Sequence, residues 1–451
     1  MSSSSSDSSL RASQLIGYAA PTVALQAIMV PLLMFLPPTY SQVAGMSLAV
    51  VGLMFALGRA FEAFTDPLIG ALSDRTRHRF GRRRIWMAAG VPIAIAATFF
   101  LLYPSPDATP FYLLVWLLVF YLGWTMIFIP HQSWGGEISG NYHERTRIAG
   151  FRETGSFVGY LLASLIPLIY LQFWLGIQTP SYAQIVQTVG VFFVVALPLG
   201  VLWCFAAVPA QQVGAAEKIP AWSDLFAILK RNKPFARLMT AYLFDRLAMG
   251  TYFFVMPVLI SYLLEMQQYI LWVGLANTLA ATLLAPAWVP LTRKLGKHRT
   301  YCIANLITMT SYALLFFTEP GHVWLLVAAN VVMGIGNAGT MITPPAMTAD
   351  AADHDELQSG SPQMGGHMAF LAFVFKAGMA FGPMVGGFYL LGFGYEQTDQ
   401  VLDATSRLGI RTAASLLPIG LLLIPLALMW NFPIDARRHE QIRRELEARK
   451  A

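Results

Sequence analysis

The sequence has little charge and almost no cysteine. Asp, Glu, Lys and Arg make up 12% of its 451 residues, about half their share in a typical soluble domain, while 56% are hydrophobic. Cys204 and Cys302 lie in apolar segments far apart in the sequence, so no disulfide framework is indicated. This balance excludes an ordinary soluble domain and predicts a polytopic membrane protein in a lipid bilayer.

The formal net charge of +6 does not indicate a nucleic-acid partner. The basic residues stand in short clusters between apolar runs, as they do in the cytoplasmic loops of membrane proteins. We therefore expect no nucleic-acid binding.

Apolar segments long enough to cross about 30 Å of hydrocarbon recur twelve times. Basic clusters mark alternate connections between them, so the positive-inside rule places both termini in the cytoplasm. The predicted fold class is an all-α membrane protein with twelve transmembrane helices. The predicted spans are 14–37, 46–72, 85–104, 111–134, 148–172, 185–208, 236–262, 270–292, 300–318, 322–345, 367–393 and 407–431.

The longest polar interruption, 209–235, predicts a cytoplasmic linker between two six-helix halves. The halves are 14–208 and 236–432. The polar segment 1–13 is expected to be a disordered cytoplasmic tail. The segment 433–451 is expected to be a second cytoplasmic tail, a solvated helix with i, i+4 ion pairs.

A weak internal repeat supports the two halves. Pro67 and Pro286 each precede a basic hairpin, and aligning them places two alanines where Glu62 and Asp66 stand. The acid pair therefore belongs to one half only, which favours a special site over a general folding requirement. Paired halves around a site at the bilayer midplane are typical of alternating access.

Three ionisable residues interrupt the second apolar segment. Arg59, Glu62 and Asp66 are spaced at i, i+3 and i+7, so they share one face of a helix. A single ionisable side chain at mid-bilayer costs about 2.5–3.5 kcal/mol, so this face is not expected to meet lipid. Two interpretations stay open: a structural ion-pair network, in which Arg59 neutralises one acid, or a cation or proton site made of two carboxylates.

Three stretches in order along the chain carry a resemblance to one family. RAFEAFTDPLIGALSDRTRHRFGRRR resembles its R-x-x-D-x-x-x-D-P-x-x-G followed by a basic hairpin. GWTMIFIPHQSWGGEISGNYHERTRIAGFRETGSFVG is similar to its I-P-x-x-S…E-R-x-x-x pattern. ADAADHDELQSGSPQMGGHMAFLAFVFK is similar to its A-D-x-x-D-x-x-E-x-x-x-G loop and lysine-bearing helix. The family is that of the glycoside–pentoside–hexuronide:cation symporters, a branch of the major facilitator superfamily that includes the bacterial melibiose permeases.

The resemblance implies a major facilitator fold of two six-helix pseudo-repeats in the inner membrane of a bacterium. It implies a transporter rather than an enzyme: cation-coupled symport of a small organic solute, a sugar or glycoside, by alternating access. No cofactor is expected other than the coupling ion, Na⁺ or H⁺.

The resemblance also assigns the cation site. It implies that Glu62 and Asp66 coordinate the coupling cation, and are the metal ligands if that cation is Na⁺, with Thr65 and Thr125 beside them. Lys376 is implied to link the cation and substrate sites. Glu62 is one methylene longer than the Asp of the family pattern, so the choice between H⁺ and Na⁺ stays open.

The sugar ligands are where the chain departs from the family. The first apolar segment has no acid, and Phe128 and Gln132 stand where the fourth is expected to carry an acid and an aromatic platform. Galactoside specificity is therefore not supported, although Gln26 could supply hydrogen bonds to a sugar. The predicted substrate-cavity residues are Gln26, Arg59, Trp124, Phe128, Gln132, Arg152 and Lys376.

The loop after the second segment resembles the superfamily's loop 2–3 signature. Its acid and arginines can form ion pairs that hold the inward side shut and must break when that side opens. For Arg152, a gating pair with Glu153 is as consistent as a substrate contact. The predicted gating residues are Asp74, Arg75, Arg82, Arg83, Asp350 and Asp353.

Asp350 and Asp353 belong to a predicted acidic loop that also contains Asp355 and Glu356. One hypothesis pairs this loop with the basic hairpins of the other half. Another reads it as the metal-diphosphate motif of a prenyltransferase-type membrane enzyme, but such sites generally need a second acidic motif, and we find none.

Two further features leave alternatives open. Phe128 and the acid-free first segment are compatible with a non-sugar cargo, amphipathic or lipid-like, carried by the same fold. Asp245 and Arg246 in the seventh segment point about 100° apart on a helix, so one could face a cavity while the other pairs elsewhere.

Overall fold

The computed structural model of the chain describes residues 10–139, 141–208, 222–361, 363–395 and 402–450. Residues 1–9 of the predicted N-terminal tail and residues 209–221 of the predicted linker lie outside the described residues. Within the described ranges the secondary structure is helical, with no strand.

The predicted N-terminal half forms seven α-helices. A π-helix, Leu168–Trp174, continues the sixth. The helices are α1 (Ala12–Met34), α2 (Leu36–Ala44), α3 (Leu48–Arg75), α4 (Arg82–Leu102), α5 (Pro110–Glu137), α6 (Tyr142–Pro167) and α7 (Tyr182–Ala207).

The remainder of the described chain forms nine more α-helices. A π-helix, Leu259–Leu263, continues the second of them. They are α8 (Trp222–Arg231), α9 (Lys233–Val258), α10 (Ile270–Leu295), α11 (Lys297–Phe316), α12 (Val323–Ser359), α13 (Met364–Gly392), α14 (Ala404–Ala414), α15 (Leu416–Met429) and α16 (Ala436–Lys450).

Every predicted apolar segment is helical, and eleven helical segments of the described chain are long and apolar enough to cross a membrane. The ninth predicted span, α11, is not among them. It begins with Lys297, His298 and Arg299 and carries several hydroxyl and amide side chains, which lower its hydropathy. Twelve crossings and cytoplasmic termini therefore stay predictions.

Helix starts follow local capping chemistry. The Thr109 hydroxyl caps α5, and Ser181 and Gln184 form a capping box at α7. At α14 the Asp403 carboxylate accepts the backbone N–H of Ser406. That hydrogen bond holds the pKa of Asp403 below its ordinary value, because it stabilises the charged form.

The prediction of an acidic loop at residues 350–356 is wrong, because these residues lie at the end of a helix. The predicted tenth span ended at residue 345, whereas α12 runs on to Ser359, 37 residues in all. Pro344 and Pro345 lie inside α12 without ending it. Residues 346–358 contain four Ala and no Gly or Pro, which allows the helix to continue. Asp350 and Asp353 thus lie on a regular helix.

Two other segments are more ordered than predicted. The predicted linker contains α8. The predicted solvated tail is helical as α16, but its Ile442 and Leu446 are buried in a hydrophobic cluster that includes Met347 and Leu357 of α12. The sequence does not predict this buried face, because Ile442 and Leu446 are its only large apolar residues and the surrounding i, i+4 pattern is charged.

Contacts divide the chain into two compact units. The first is Met1–Met46 with Leu57–Ile219, and the second is Ser47–Ala56 with Pro220–Ala451. The division groups Ser47–Ala56, from the predicted N-terminal half, with the second unit.

Glycines allow close helix packing inside each unit. In the first unit α1 packs against α6 and α7, and a Cβ at Gly159 would lie 2.5 Å from the Val23 carbonyl oxygen. In the second unit α9 packs against α13, and a Cβ at Gly382 would lie 2.5 Å from the backbone of Gly250. Neither position has space for a side chain, so both pairs of helices approach at backbone distance.

Replacement of Ile442 by Ala tests the docking of α16. Ile442 is fully buried, so its truncation should cost about 2–4 kcal/mol of stability, as in other cores. Thermal unfolding in one detergent should show a lower Tm than for Gln441→Ala, at the exposed neighbour. Equal Tm values for the two variants would show that α16 is not docked.

Candidate functional site

The three ionisable residues of α3 lie in the first unit, and one acid is tied to the arginine. Arg59 Nη1 donates to Glu62 Oε2 at 2.6 Å, and the Glu62 side chain is only 1% exposed. The Arg59 guanidinium also stacks over the Tyr121 ring of α5, 4.7 Å from its centroid. A buried carboxylate needs such a partner, so Glu62 forms the ion pair that one of the two interpretations expects, and its part in a cation site stays a prediction.

The second acid meets a hydroxyl on the neighbouring helix. Thr125 Oγ1 of α5 donates to Asp66 Oδ1 at 2.9 Å, and Thr125 is fully buried while Asp66 is partly exposed. Thr65 instead donates to the Glu62 backbone carbonyl at 3.3 Å. The predicted grouping of Glu62, Asp66 and Thr125 is thus present, while Thr65 is directed to its own helix.

The other nitrogens of Arg59 lack strong acceptors, and the charges of Arg59, Glu62 and Asp66 do not cancel. Its Nη2 contacts the Met29 sulfur at 3.5 Å, and its buried Nε has no hydrogen-bond partner among the described residues. With all three side chains ionised, Arg59 contributes one positive charge and Glu62 and Asp66 contribute two negative charges. One monovalent cation would therefore neutralise the set.

The donor set suits a small hard cation or a proton. Carboxylate and hydroxyl oxygens are ligands for hard cations, and carboxylates also take protons. Across the described parts of the chain, no group of three or more His, Cys, Asp and Glu side chains is placed to hold a metal ion. Any Na⁺ here would be held by two carboxylates, at Glu62 and Asp66, with neutral oxygens completing its shell.

The predicted substrate-cavity residues lie on five helices, α1, α3, α5, α6 and α13. Trp124 and Phe128 stack on α5, with centroids 5.8 Å apart and planes at 21°. Gln132, a turn further on, is exposed, and Gln26 on α1 lies beside Gly159 of α6. Their contact with a substrate stays a prediction.

Two other predicted cavity residues are basic. Arg152 Nη2 pairs with Glu153 Oε1 at 2.7 Å, and its side chain is 19% exposed while that of Glu153 is 57% exposed. The predicted pair is present, while both the gating role and the substrate contact of Arg152 stay predictions. Lys376 lies on α13 in the second unit and is partly buried.

Arg83 is the centre of the predicted gate in the first unit. It pairs with Asp74 at the end of α3 and, at 2.6 Å, with Glu137 at the end of α5. Arg82 also pairs with Glu137, at 2.8 Å, and Arg75 is exposed. Sequence reasoning missed Glu137, although an acid at the end of the fourth apolar segment was the available signal.

The acidic residues of α12 pair within the second unit. Asp350 accepts from Lys297 at 2.6 Å, and His439 of α16 lies 3.3 Å from Asp350 and 3.0 Å from Asp353. These pairs link α12 to α11 and α16. The expected pairing of this acidic segment with basic hairpins of the other half stays a prediction.

A two-point ion pair holds α8 to the end of α12. Arg231 Nε and Nη2 donate to the two Asp355 carboxylate oxygens at 2.8 and 2.6 Å. The hydrogen bond to Asp355 raises the pKa of the Arg231 guanidinium. This fork geometry is the strong form of an arginine–carboxylate pair.

Comparisons with known proteins agree with the fold. A family model described as MFS/sugar transport protein matches residues 17–436. The chain is similar to an uncharacterized symporter of Bacillus subtilis (26% identity, 96% of this chain and 94% of that protein). It is similar to a glucuronide carrier protein homolog of Escherichia coli (24% identity, 97% and 95%). The crystal structure of a bacterial homolog of the human lysosomal transporter Spinster superposes with a TM-score of 0.67 (14% identity, 96% and 97%), which supports the fold alone.

Replacing Arg59 with Gln tests the buried pair. The change leaves the Glu62 charge buried without its partner, which should destabilise the protein by about 3–5 kcal/mol. Arg152→Gln breaks a pair whose acid is exposed and should cost only about 0–1 kcal/mol. Thermal unfolding of both variants in one detergent makes the comparison; equal losses would show that the Arg59–Glu62 pair is solvated.

Proposed function

The chain belongs to the MFS/sugar transport protein family, and we propose that it is a secondary active symporter that carries a small organic solute together with H⁺ or Na⁺. The solute class proposed is a sugar or glycoside. Similar proteins named as a symporter and a glucuronide carrier homolog support this function. Helices long and apolar enough to cross the bilayer support a place in the bacterial inner membrane.

One observation carries the coupling part of the proposal: the Asp66–Thr125 contact beside the Arg59–Glu62 pair. Three ionisable side chains in an apolar segment are energetically costly, so their presence indicates a function. Their single excess negative charge provides a reason for a monovalent cation to bind. Glu62 and Asp66 are proposed as its ligands, with Thr125 supplying a hydroxyl.

Coupling then follows from linkage. If a bound cation raises the affinity for the solute by some factor, the solute raises the affinity for the cation by the same factor. Lys376 and the cavity residues of α1, α5 and α6 are proposed to transmit this mutual effect between the cation site and the solute site. The gating ion pairs of Arg83, Asp74 and Glu137 are proposed to break in each transport cycle.

The family membership favours a transporter over a prenyltransferase-type enzyme. The contacts of Asp350 and Asp353 also favour a transporter, because these carboxylates pair with a lysine and a histidine of their own unit. An amphipathic or lipid-like cargo remains the second candidate. The stacked Trp124 and Phe128 favour it, because both side chains are aromatic and Phe128 stands where the family pattern has an acid.

A ligand-stabilisation screen tests the function without knowledge of the solute. Glycosides, sugars and lysolipids are added to the purified protein at two pH values, with and without Na⁺. A ligand at 100 times its Kd stabilises the folded state by about 2.7 kcal/mol, which raises the Tm. We expect one cation to increase the effect of at least one ligand. Stabilisation that is indifferent to both Na⁺ and pH would contradict coupling.

Substitution of Asp66 by Asn tests the cation site with a ligand found in that screen. Loss of the carboxylate should abolish the cation dependence of counterflow in proteoliposomes. Thr125→Val removes the hydroxyl that donates to the Asp66 carboxylate and should weaken cation affinity about 3- to 10-fold.

Asp107→Asn is the matched control, because Asp107 is an exposed acid in a loop of the same unit. It should leave the cation dependence unchanged. Wild-type cation dependence in Asp66→Asn would place the coupling site elsewhere.

A further inference from the structure

The second unit contains its own buried ion pair, on α9. Arg246 Nη2 donates to Asp245 Oδ1 at 2.9 Å, and the Tyr301 hydroxyl of α11 donates to Asp245 Oδ2 at 2.7 Å. The Arg246 side chain is 0% exposed and that of Asp245 is 6% exposed. The two neighbours in sequence therefore pair with each other instead of facing different surroundings.

The arginine of this pair lacks good acceptors. A guanidinium has five N–H donors, and here Nη2 reaches two oxygens, Asp245 Oδ1 and Thr340 Oγ1, the latter at 2.6 Å. Nη1 contacts only the sulfurs of Met249 and Met341, at 3.2 and 3.3 Å. The buried Nε has no partner among the described residues. Three of the five donors thus lack an oxygen acceptor.

Arg59 of the first unit has the same surroundings. Each arginine has a carboxylate on its own helix, a methionine sulfur at the other terminal nitrogen, and an unpartnered buried Nε. Each also lies over a tyrosine ring, Tyr121 for Arg59 and Tyr242 for Arg246 at 5.1 Å. The same set of side chains therefore occurs once in each unit, and only the first has been assigned a role.

Stability alone does not explain the second set. A buried ion pair is commonly no more stable than apolar side chains of the same volume, because both charges lose their hydration. Elsewhere in this fold, Nε and Nη2 of Arg231 both donate to carboxylate oxygens of Asp355, in a partly exposed pair. The Arg246 pair instead leaves donors directed at thioethers, which are weak acceptors on flexible chains.

We propose that Arg246 binds an oxyanion of the transported solute, a carboxylate, sulfonate or phosphate group, while Asp245 takes up a proton. The proposal rests on the proposed symport function and adds an anion site and a second proton site to it. Met341 is 43% exposed, so its side chain can move aside to admit the anion to Nη1.

Charge balance explains why the two events are linked. The buried guanidinium needs one negative charge, which Asp245 supplies in the absence of solute. When the solute oxyanion supplies the negative charge instead, a proton from solution binds to the Asp245 carboxylate. The site then stays neutral overall. Tyr301 suits both states, because its hydroxyl donates to the carboxylate and can accept from the carboxylic acid.

The charged and titratable neighbours come from several helices. Arg246 and Tyr242 lie on α9 itself, and Tyr301 and Tyr312 lie on α11. On α13, Phe375 lies 5.9 Å from the Arg246 guanidinium, and Lys376 follows it in the sequence. From α12 come the neutral Thr340 and Met341. Arg246 is thus the cation in direct contact with Asp245, so its charge controls the protonation of that carboxylate.

Matched ligand pairs test the site. The probes are methyl glycosides of sugar acids, each with its neutral counterpart of the same ring stereochemistry, added to the full-length protein at pH 5.5 and 7.5. We expect acids to bind more tightly than their neutral partners, with a difference that grows at the lower pH. Arg246→Lys should weaken acid binding about 10- to 100-fold, as expected for lost charged hydrogen bonds, and leave neutral ligands unaffected.

Two variants complete the experiment. Asp245→Asn mimics the protonated acid and should bind acids more tightly at pH 7.5 and remove the pH dependence of the acid–neutral difference. It serves alone if Arg246→Lys does not fold. Arg231→Lys, in the two-point pair with Asp355 at the end of α8, is the control and should bind acids like the wild type.

The outcomes separate this site from the symport function. Equal affinity for acids and neutral partners, or acid binding unchanged in Arg246→Lys, would overturn the anion site and leave cation-coupled symport standing. A pH-dependent acid–neutral difference that persists in Asp245→Asn would overturn the proton site. Binding that ignores Na⁺ and pH for acids and neutral ligands alike would instead contradict the symport function.

Discussion

An arginine held among apolar helices must keep a negative partner, and this requirement organises the interior of both units. In the first unit Glu62 is the negative partner of Arg59, at 2.6 Å, and Thr125 donates its hydroxyl to Asp66. In the second unit Asp245 is the negative partner of Arg246. Since unpaired charge is so costly here, any ion or solute that changes one of these charges must be compensated by another.

Sequence reasoning located the helices well, because apolar runs in a membrane protein have few alternative structures. It placed Glu62, Asp66 and Thr125 together through helix spacing and a family resemblance. It failed where the deciding contacts come from distant segments. The docked face of α16 depends on Ile442 meeting α12, and the partners of Arg246 come from three different helices. The continuation of α12 past residue 345 was missed because the acidic residues that follow the apolar run were interpreted as a loop.

The proposed roles fall on different units. The first unit contains the carboxylates proposed for the coupling cation, together with a stacked aromatic pair on α5 and the ion pairs of Arg83. The second contains Lys376, the Asp245–Arg246 pair and an acidic helix end bound by Lys297 and His439. We propose cation coupling for the first unit and anion recognition for the second, which would make the charge of the solute part of the coupling.

The central claim is that the carboxylates of α3 carry a positive ion along with the solute. The most direct measurement is the current recorded when solute is added to proteoliposomes adsorbed on a solid-supported membrane. For a neutral solute the account predicts movement of positive charge in the direction of the solute, present in the wild type and absent when both Glu62 and Asp66 are replaced by their amides. Solute uptake without any current, at every Na⁺ concentration and pH, would contradict it.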